Sequence, residues 1–193
     1  MHSIMSKRGL HLALEVGQSL PMQFCWWVDS GYLRATGSTD QAEVFTLGIW
    51  GPGEILIPEI LSQQPLELRA LSAVRVHECS PDPADNHVFS TTHIQQMGML
   101  LQLTRIRPAE ARLFNLLLWL AARFGDITEH GQTLPLEAMN LTHRQLAEMA
   151  SVSRVTVTKT LGHFRQQGWL MSVGEAEVLS KFALAQFQRG ALR

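Results

Sequence analysis

The chain has 193 residues, of which 46% are hydrophobic and 17% charged, and its formal net charge is −1. A chain of this size and hydrophobicity buries a core in one or two domains, which excludes a disordered or tail-like protein. No apolar run approaches the ~20 residues of a membrane span, and no small-residue cleavage site follows the first apolar patch. The two cysteines, Cys25 and Cys79, form neither a disulfide framework nor a four-thiolate cluster. We therefore expect a cytoplasmic protein with no membrane contact.

The charge is divided unevenly along the chain. Residues 1–104 carry five Lys and Arg against ten Asp and Glu, whereas residues 105–193 carry eleven against seven. An acidic half joined to a basic half indicates separate tasks, and the basic half favours a polyanion as its partner. Uneven sampling in a neutral protein is the alternative explanation.

The region from His11 to Cys79 has the pattern of short β-strands separated by Gly, Pro, Asp and Ser turns. The predicted strands are residues 23–28, 32–35, 43–50 and 68–79. Short strands at this spacing favour a small antiparallel barrel or sandwich. We expect its core to contain the aromatic residues Phe24, Trp26, Trp27, Tyr32, Phe45 and Trp50.

Histidine and cysteine side chains near the end of this region are candidate ligands for a metal or haem. His77 and Cys79 project from one face of a strand, and His87 and His93 lie just beyond. Such side chains ligate zinc or haem iron. Their spacing matches no closed site, so we predict no bound metal.

After Pro81 the hydrophobic period changes to that of helices. Ile94, Met97 and Leu101 lie on one helical face, which is either packed in the core or paired with its twin in a second subunit. We favour the dimer interface, because the segment has few charges and lies between two predicted domains. Pro108 marks a hinge or the first turn of the next helix. The apolar positions of that next helix are Leu113, Leu117, Leu120 and Phe124.

Residues 140–170 contain the clearest motif. Thr142 and Gln145 form a capping box that begins a short helix. Residues 151–153 interrupt this helix, and Ser153 can cap a second one. The core-facing positions of the second helix are Val157, Leu161 and Phe164. Two short helices joined by a tight turn predict a helix-turn-helix.

The opposite face of the second helix predicts contacts with DNA. Val155 is apolar where the pattern leaves it in solvent, and its methyl groups fit the thymine methyl group in the major groove. Arg154 fits the O6 and N7 acceptors of guanine, and Lys159, one turn further on, reaches a base or a phosphate. For each residue alone a scattered surface position is the alternative, but the set favours DNA binding. The predicted contacts with the DNA backbone are Thr142, Arg144, Ser153, Thr156 and Thr158.

A β-hairpin wing is predicted to follow, because residues 169–173 and 176–179 flank a Gly174-Glu175 turn. Glu175 and Glu177 would repel phosphates, so we expect the wing to contribute little to DNA contact. Ser180 can cap a short terminal helix.

The order of these parts resembles the CRP/FNR superfamily of bacterial transcription regulators. The resemblance is carried by Gly51-Pro52-Gly53-Glu54 in the β region, by the long linking helix and by LTHRQLAEMASVSRVTVTKTLGHFRQQGWL at residues 141–170. It implies an α+β fold in three parts. These are an N-terminal β jelly-roll, cyclic-nucleotide-binding-like sensory domain at residues 1–87, a linking and dimerisation helix at 88–107, and a C-terminal winged helix-turn-helix domain at 108–193.

Within the superfamily, residues 153–158 resemble the recognition helix of the global nitrogen regulator NtcA. This likeness implies that Arg154 reads guanine and Val155 the neighbouring thymine, in half-sites that begin GTA within an inverted repeat. The chemistry of the two side chains predicts the same G-then-T preference. The glycine common at the turn of such motifs is Ser151 here, and serine tolerates turn geometry.

The sensory pockets of the superfamily are not matched. A cyclic nucleotide needs a Gly-Glu pair for its ribose and an Arg-Ser pair for its phosphate, where this chain has Ile57-Pro58-Glu59 and Gln64-Pro65. Arg69 is displaced from the needed position, and Met97 and Gly98 lack hydroxyl groups for the adenine. The arginines for 2-oxoglutarate and the cysteines for an iron–sulfur cluster are also missing. We therefore predict neither a cyclic nucleotide nor an iron–sulfur cluster, and the effector is unknown.

Together these observations predict a homodimeric, sequence-specific regulator of transcription that binds double-stranded DNA and RNA polymerase. The alternative keeps the DNA-binding fold but makes the β domain a protein-interaction module that a partner controls. An enzyme with a cupin-like barrel is not expected, because a clustered His/Glu metal set, paired carboxylates and a nucleophile elbow are missing.

Overall fold

The computed structural model describes residues 9–41, 43–61 and 66–188. The strands of the N-terminal part are β1 His11–Leu14, β2 Cys25–Ser30, β3 Leu33–Ser38, β4 Val44–Trp50, β5 Ile55–Leu56, β6 Leu66–Ala70 and β7 Val74–Cys79. Those of the C-terminal part are β8 Gly131–Leu134, β9 Leu170–Val173 and β10 Ala176–Ser180. The α-helices are α1 Pro83–Arg105, α2 Ala109–Phe124, α3 His143–Ala150, α4 Arg154–Gln166 and α5 Lys181–Gln188. None of the described helices is long and apolar enough to cross a membrane.

The N-terminal domain is a sandwich of two antiparallel sheets. One sheet has the strand order β1-β7-β2-β5 and the other β4-β3-β6. Trp26 of the first sheet and Trp50 of the second are buried in one core together with Phe89 of α1. Because side chains alternate across each strand, the inner faces of the two sheets supply this core. The predicted α+β fold with an N-terminal β sandwich is confirmed.

The prediction that all six aromatic residues lie in this core was wrong for three of them. Trp27 is 36% exposed, because successive side chains point to opposite faces of a strand and Trp26 takes the inner one. Phe45 is 43% exposed, since the first residues of β4 extend beyond the core. Tyr32 packs instead against Phe124 of α2, with ring centroids 5.5 Å apart.

The strand predicted at residues 68–79 is in fact two strands, β6 and β7. β6 pairs with β3 in one sheet, whereas β7 pairs with β1 and β2 in the other, so the chain changes sheets at residues 71–73. There Leu71 is buried and its amide donates to the carbonyl of Tyr32 at 2.8 Å. Apolar residues recur on both sides of the break, which is why the sequence pattern did not reveal it.

Helix α1 begins at Pro83, five residues before the linking helix predicted at 88–107. Asp82 is its N-cap: the Asp82 carboxylate accepts from the Asp85 amide at 2.8 Å, and the Asp85 carboxylate accepts from the Asp82 amide at 3.0 Å. Proline suits the first helical position because it needs no amide partner there. The chain therefore passes from β7 into α1 through only Ser80, Pro81 and the Asp82 cap.

A second core joins α2, α3, α4 and the wing. Its buried residues include Leu113, Leu117, Leu120, Leu146, Val157, Leu161 and Phe164. The wing hairpin β9–β10 turns at Gly174, whose φ is 60°, and β8, which the sequence did not reveal, pairs with β10 to give the order β8-β10-β9. The Ser180 hydroxyl accepts from the Ala183 amide at 3.2 Å and so caps α5 as predicted.

The two domains are in contact. Ile49 and Leu71 of the β domain belong to the second core. At the Gly51-Pro52-Gly53-Glu54 corner, the Glu54 carboxylate accepts from the Gly51 amide at 2.7 Å and pairs with Arg123 of α2 at 2.5 Å. The corner therefore connects the β domain to the first helix of the C-terminal domain.

Candidate nucleic-acid interface

The first helix of the predicted motif, α3, begins as the sequence indicated. The Thr142 hydroxyl accepts from the Gln145 amide at 3.2 Å, and the Gln145 side chain accepts from the Thr142 amide at 2.9 Å. Leu146 and Ala150 are buried on its inner face. Ser151 ends the helix in the left-handed conformation, with φ 50° and ψ 50°, so serine takes the place that glycine often holds.

The turn between α3 and α4 is fixed by Arg112 of α2. The Arg112 guanidinium donates to the carbonyls of Ala150 and Ser151 at 3.2 and 2.8 Å. It also donates twice to the carbonyl of Ile106, at 3.0 and 2.8 Å, in the link between α1 and α2. One side chain thus joins the α1–α2 link to the turn of the helix-turn-helix. The sequence alone did not reveal this role of Arg112, because nothing in the local pattern distinguishes it from a solvated arginine.

The second helix, α4, buries one face and exposes the other. Ser153 is its N-cap and accepts from the Thr156 amide at 3.0 Å. Val157, Leu161 and Phe164 are at most 1% exposed, as predicted. The helix therefore packs against the second core with its opposite face free.

The exposed face of α4 carries the predicted base-reading residues. Arg154, Val155 and Lys159 are all exposed, and Val155 reaches 62%. Val155 and Lys159 are four residues apart and share one side of the helix, and Arg154 lies at its first turn. The side chains of Val155, Arg154 and Lys159 therefore lie together in the N-terminal half of an accessible helix.

The hydroxyl groups predicted to contact the DNA backbone are already engaged within the motif. Thr142 and Ser153 cap their helices, and Thr156 Oγ1 is 2.8 Å from Ser153 Oγ. Thr158 Oγ1 donates to the carbonyl of Arg154 at 3.1 Å and lies 2.9 Å from His143 Nδ1, which links α3 to α4. These side chains shape the two helix N-termini, whose free amides can face phosphate.

Arg144, the remaining predicted backbone contact, belongs to a charge cluster that the sequence pattern does not reveal. Its side chain is 81% exposed and its Nε pairs with Glu148 Oε1 at 3.2 Å. Glu148 Oε2 also pairs at 3.0 Å with Nη1 of Arg34, a side chain of the β domain that is 5% exposed. Thr46 Oγ1 accepts from Nε and Nη2 of Arg34 at 2.9 and 2.7 Å. Burial lowers the pKa of Arg34, and the hydrogen bond and charge of Glu148 oppose that shift.

One of the two acidic residues of the wing is paired with an arginine of α4. Arg165 of α4 pairs with Glu177 through its Nε at 2.8 Å, which partly neutralises that carboxylate. Glu175 at the turn is exposed.

The predicted dimer residues of α1 lie on its exposed side. Ile94 is 69%, Met97 43% and Leu101 61% exposed, while Leu100 and Leu103 face the core. The interpretation of the first three as core residues is therefore excluded. Three large apolar side chains along one helix form a face that a partner would cover.

The β domain interior next to α1 holds buried polar groups. Gln96 Oε1 accepts from the Ile49 amide at 2.7 Å. Trp50 Nε1, His93 Nδ1 and Gln96 Nε2 are buried and have no hydrogen-bond partner among the described residues. Burial lowers the pKa of His93. The nearby cavity, about 200 Å³ and lined by Trp50 and Phe89, is smaller than the about 300–1,000 Å³ typical of small-molecule sites.

No group of three or more His, Cys, Asp or Glu side chains in the described part of the chain could hold a metal ion. His77, one of the candidate ligands, instead pairs with Asp29, Nδ1 to Oδ1, at 2.9 Å. Gln64 and Pro65, where a cyclic nucleotide would need its phosphate ligands, lie outside the described residues.

The capped two-helix motif, its exposed recognition face and its hairpin wing form a winged helix-turn-helix, a DNA-binding motif, which is attached to a β sandwich. The Crp-like helix-turn-helix domain matches residues 111–187. The chain is also 36% identical over 143 residues to the regulatory protein CysR of Synechococcus elongatus. The matched region covers 74% of this chain and 69% of CysR. The chain belongs to the CRP family of transcription regulators, which bind DNA and are not enzymes.

Solved structures show the same fold. A CRP-family transcriptional regulator from Thermus thermophilus superposes with a TM-score of 0.67 at 16% identity, covering 93% of this chain and 96% of that chain. A mutant of CooA from Carboxydothermus hydrogenoformans gives a TM-score of 0.70 at 19% identity, covering 94% and 88%.

Proposed function

We propose that this regulator binds DNA as a homodimer and recognises an inverted repeat whose half-sites begin GTA. The observation that carries the proposal is the exposed pair Arg154 and Val155 at the first turn of α4. A guanidinium fork matches the two acceptors on the major-groove edge of guanine, and a valine methyl packs on the methyl group of thymine. Likeness of residues 153–158 to the recognition helix of NtcA supports the same assignment.

The other side chains of the motif position the helix. Lys159 reaches a base or a phosphate beyond Val155. Arg144 contacts the DNA backbone, as do Thr142, Ser153, Thr156 and Thr158 through the helix N-termini that they cap or flank. Such contacts set register and orientation without reading the sequence.

The dimer would form when α1 pairs with α1 of a second subunit through Ile94, Met97 and Leu101. Two recognition helices then enter successive major grooves, ~34 Å apart along the DNA. The link between α1 and α2, with Pro108 as its last residue, is the hinge through which the β domain sets the angle between the DNA-binding domains. The protein works in the cytoplasm, where it contacts RNA polymerase.

Binding-site selection on random DNA duplexes with the full chain tests base reading. We expect an enriched inverted repeat of GTA half-sites. Arg154→Ala should cost ~1–3 kcal/mol of binding free energy on that site and relax the preference at the guanine. Arg144→Ala is the matched control, because loss of a backbone contact weakens all sequences alike. An unchanged preference in Arg154→Ala would refute the assignment.

The dimer is tested by sedimentation of Leu101→Glu. We expect a monomer with much weaker DNA binding, because a charge in an apolar seam is desolvated without a partner. Val88→Glu is the control, since Val88 is equally exposed on α1 but lies about 120° around the helix from Ile94. Dimers that persist in Leu101→Glu would exclude this seam.

For the β domain we propose no cyclic nucleotide and no iron–sulfur cluster, and control by a protein partner. The observation that favours this is the packing of the Trp50, Phe89 and His93 rings beside α1, at centroid distances of 5.8 to 6.0 Å, which leaves little room for a ligand. Calorimetry of the full chain with cyclic nucleotides and 2-oxoacids distinguishes control by a protein partner from control by a small effector. Micromolar binding that tightens DNA affinity would replace the protein partner with a small effector.

A further inference from the structure

The only two cysteines of the chain come together in the β domain. Cys25 is the first residue of β2 and Cys79 the last residue of β7. These antiparallel neighbours place the two cysteines directly opposite each other in register. Residues 54 positions apart in the sequence thus form a cross-strand pair at one end of the sheet.

Directly opposite positions of two antiparallel strands lie close enough for a covalent bridge. Directly opposite residues of an antiparallel pair have Cβ atoms about 4.5–5.5 Å apart, and a disulfide needs about 3.5–4.5 Å, with Cα atoms about 4.4–6.8 Å apart. Closure therefore requires only a small approach of the two strand ends. A bridge that departs from the ideal disulfide geometry stores strain and is reduced more readily.

The electrostatics of the pair agree with this proximity. Burial, followed by the negative charge of a Cys25 thiolate and by Asp85 and Glu78, raises the pKa of Cys79 to about 11. Burial and Glu59 raise the pKa of Cys25. Both groups are half-buried thiols at neutral pH, so they react slowly, and the thiols persist in a reducing compartment.

We propose that Cys25 and Cys79 form a reversible dithiol–disulfide site that takes a small-molecule disulfide as its oxidant. One sulfur loses its proton and attacks a sulfur of the oxidant RSSR, which gives a mixed disulfide and releases RS⁻. The second sulfur loses its proton and attacks the protein sulfur of the mixed disulfide, which forms the Sγ–Sγ bond and releases another RS⁻. The protein loses two protons and two electrons, and RSSR becomes two RSH.

The bridge would form where α1 leaves the β domain. Cys79 is three residues before Asp82, whose carboxylate caps α1. A bond to Cys25 ties this junction to the start of β2. We therefore expect the disulfide to restrain the first turn of α1, the helix that carries Ile94 and Leu101.

The experiment treats the purified full chain with oxidised glutathione and follows free thiols and intact mass. We expect both thiols to be lost from a chain that has no disulfide link to another chain and whose mass falls by two hydrogen atoms. Dithiothreitol should restore both thiols. Peptide mapping should link Cys25 to Cys79. Because only thiolates attack, the rate should rise about tenfold for each pH unit below the thiol pKa.

Cys25→Ser and Cys79→Ser are matched controls, each of which should stop at a single glutathione adduct. Amide hydrogen exchange of residues 82–88 should slow in the oxidised chain and not in either variant. Stable double adducts, links between chains, or thiols that alkylate but never pair would refute the site. Unchanged exchange in a bridged chain would refute the restraint on α1. None of these outcomes depends on DNA binding, so the proposed function is tested independently of this site.

Discussion

Polar side chains find their hydrogen-bond partners differently in the helix-turn-helix and at the junction between the β domain and α1, by which we mean here the packed contact around His93 and Gln96. In the motif, Thr142 and Ser153 find their partners three residues along the chain and stay at the surface. At the junction, Gln96 finds its partner 47 residues away, and His93 Nδ1 is buried with none among the described residues. Local partners follow from local sequence, whereas buried polar groups depend on the whole fold.

The difference has an energetic side. A helix cap contributes about 0.5–2 kcal/mol and can be lost without disturbing a distant element. A buried polar or charged group that loses its partner costs about 1–3 kcal/mol, and more when charged. Substitutions in the two regions should therefore differ in how much stability is lost and in how far from the substituted residue the structure is disturbed.

The largest effect is expected at the ion pair between the domains. Glu148→Ala leaves the Arg34 guanidinium buried, with Thr46 as its only remaining acceptor among the described residues. Loss of one partner of a fully buried pair costs about 3–5 kcal/mol, and because the Glu148 side chain is 23% exposed we expect about 2–3 kcal/mol. Urea unfolding of the full chain measures the loss.

Two further variants separate burial from charge in this prediction. Arg144→Ala removes only the exposed half of the cluster and should cost less than about 1 kcal/mol. Arg34→Met combined with Glu148→Leu removes both charges and should recover most of the stability. If Glu148→Ala and Arg144→Ala lower the free energy of unfolding equally, the buried contact between Arg34 and Glu148 contributes nothing to stability.

An intermediate effect is expected at the cap of the recognition helix. Ser153→Ala removes the acceptor of the Thr156 amide and should lower the free energy of unfolding by about 1 kcal/mol. Ser172→Ala on the wing is the control, because Ser172 is exposed and should change stability by less than about 0.5 kcal/mol. Equal stability of the two variants, measured by thermal unfolding, would show that the cap is replaced by water.

The smallest effect is expected in the pH dependence of stability, which His93→Gln tests. Burial lowers the pKa of His93 in the folded state, so the unfolded state, with a pKa of about 6.5, takes the proton first. The stability due to neutral His93 is complete above about pH 6.5 and is lost as the pH falls through that value towards the folded pKa.

Denaturant unfolding across this range should therefore give a shallower pH dependence for His93→Gln than for the parent chain. His87→Gln, on the exposed side of α1, is the control and should keep the parent slope. A parent slope in both variants would mean that His93 does not remain neutral in the fold.

Much of the candidate site could be predicted because its signals are short in range. The Thr142 box and the Ser153 cap each lie within four residues, and the buried face of α4 repeats within two turns. The break in the predicted strand at residues 68–79 could not be predicted, since the change of sheet depends on strands elsewhere in the chain. Arg112 and Arg34 were missed for the same reason.

The sequence by itself determined the helix-turn-helix, its caps and its exposed Arg154 and Val155, because backbone hydrogen bonding and helical periodicity act over a few residues. Only the tertiary structure decided that Arg34 meets Glu148 and that Cys25 faces Cys79. Such contacts arise from strand register and domain packing, which bring together residues that no local pattern connects.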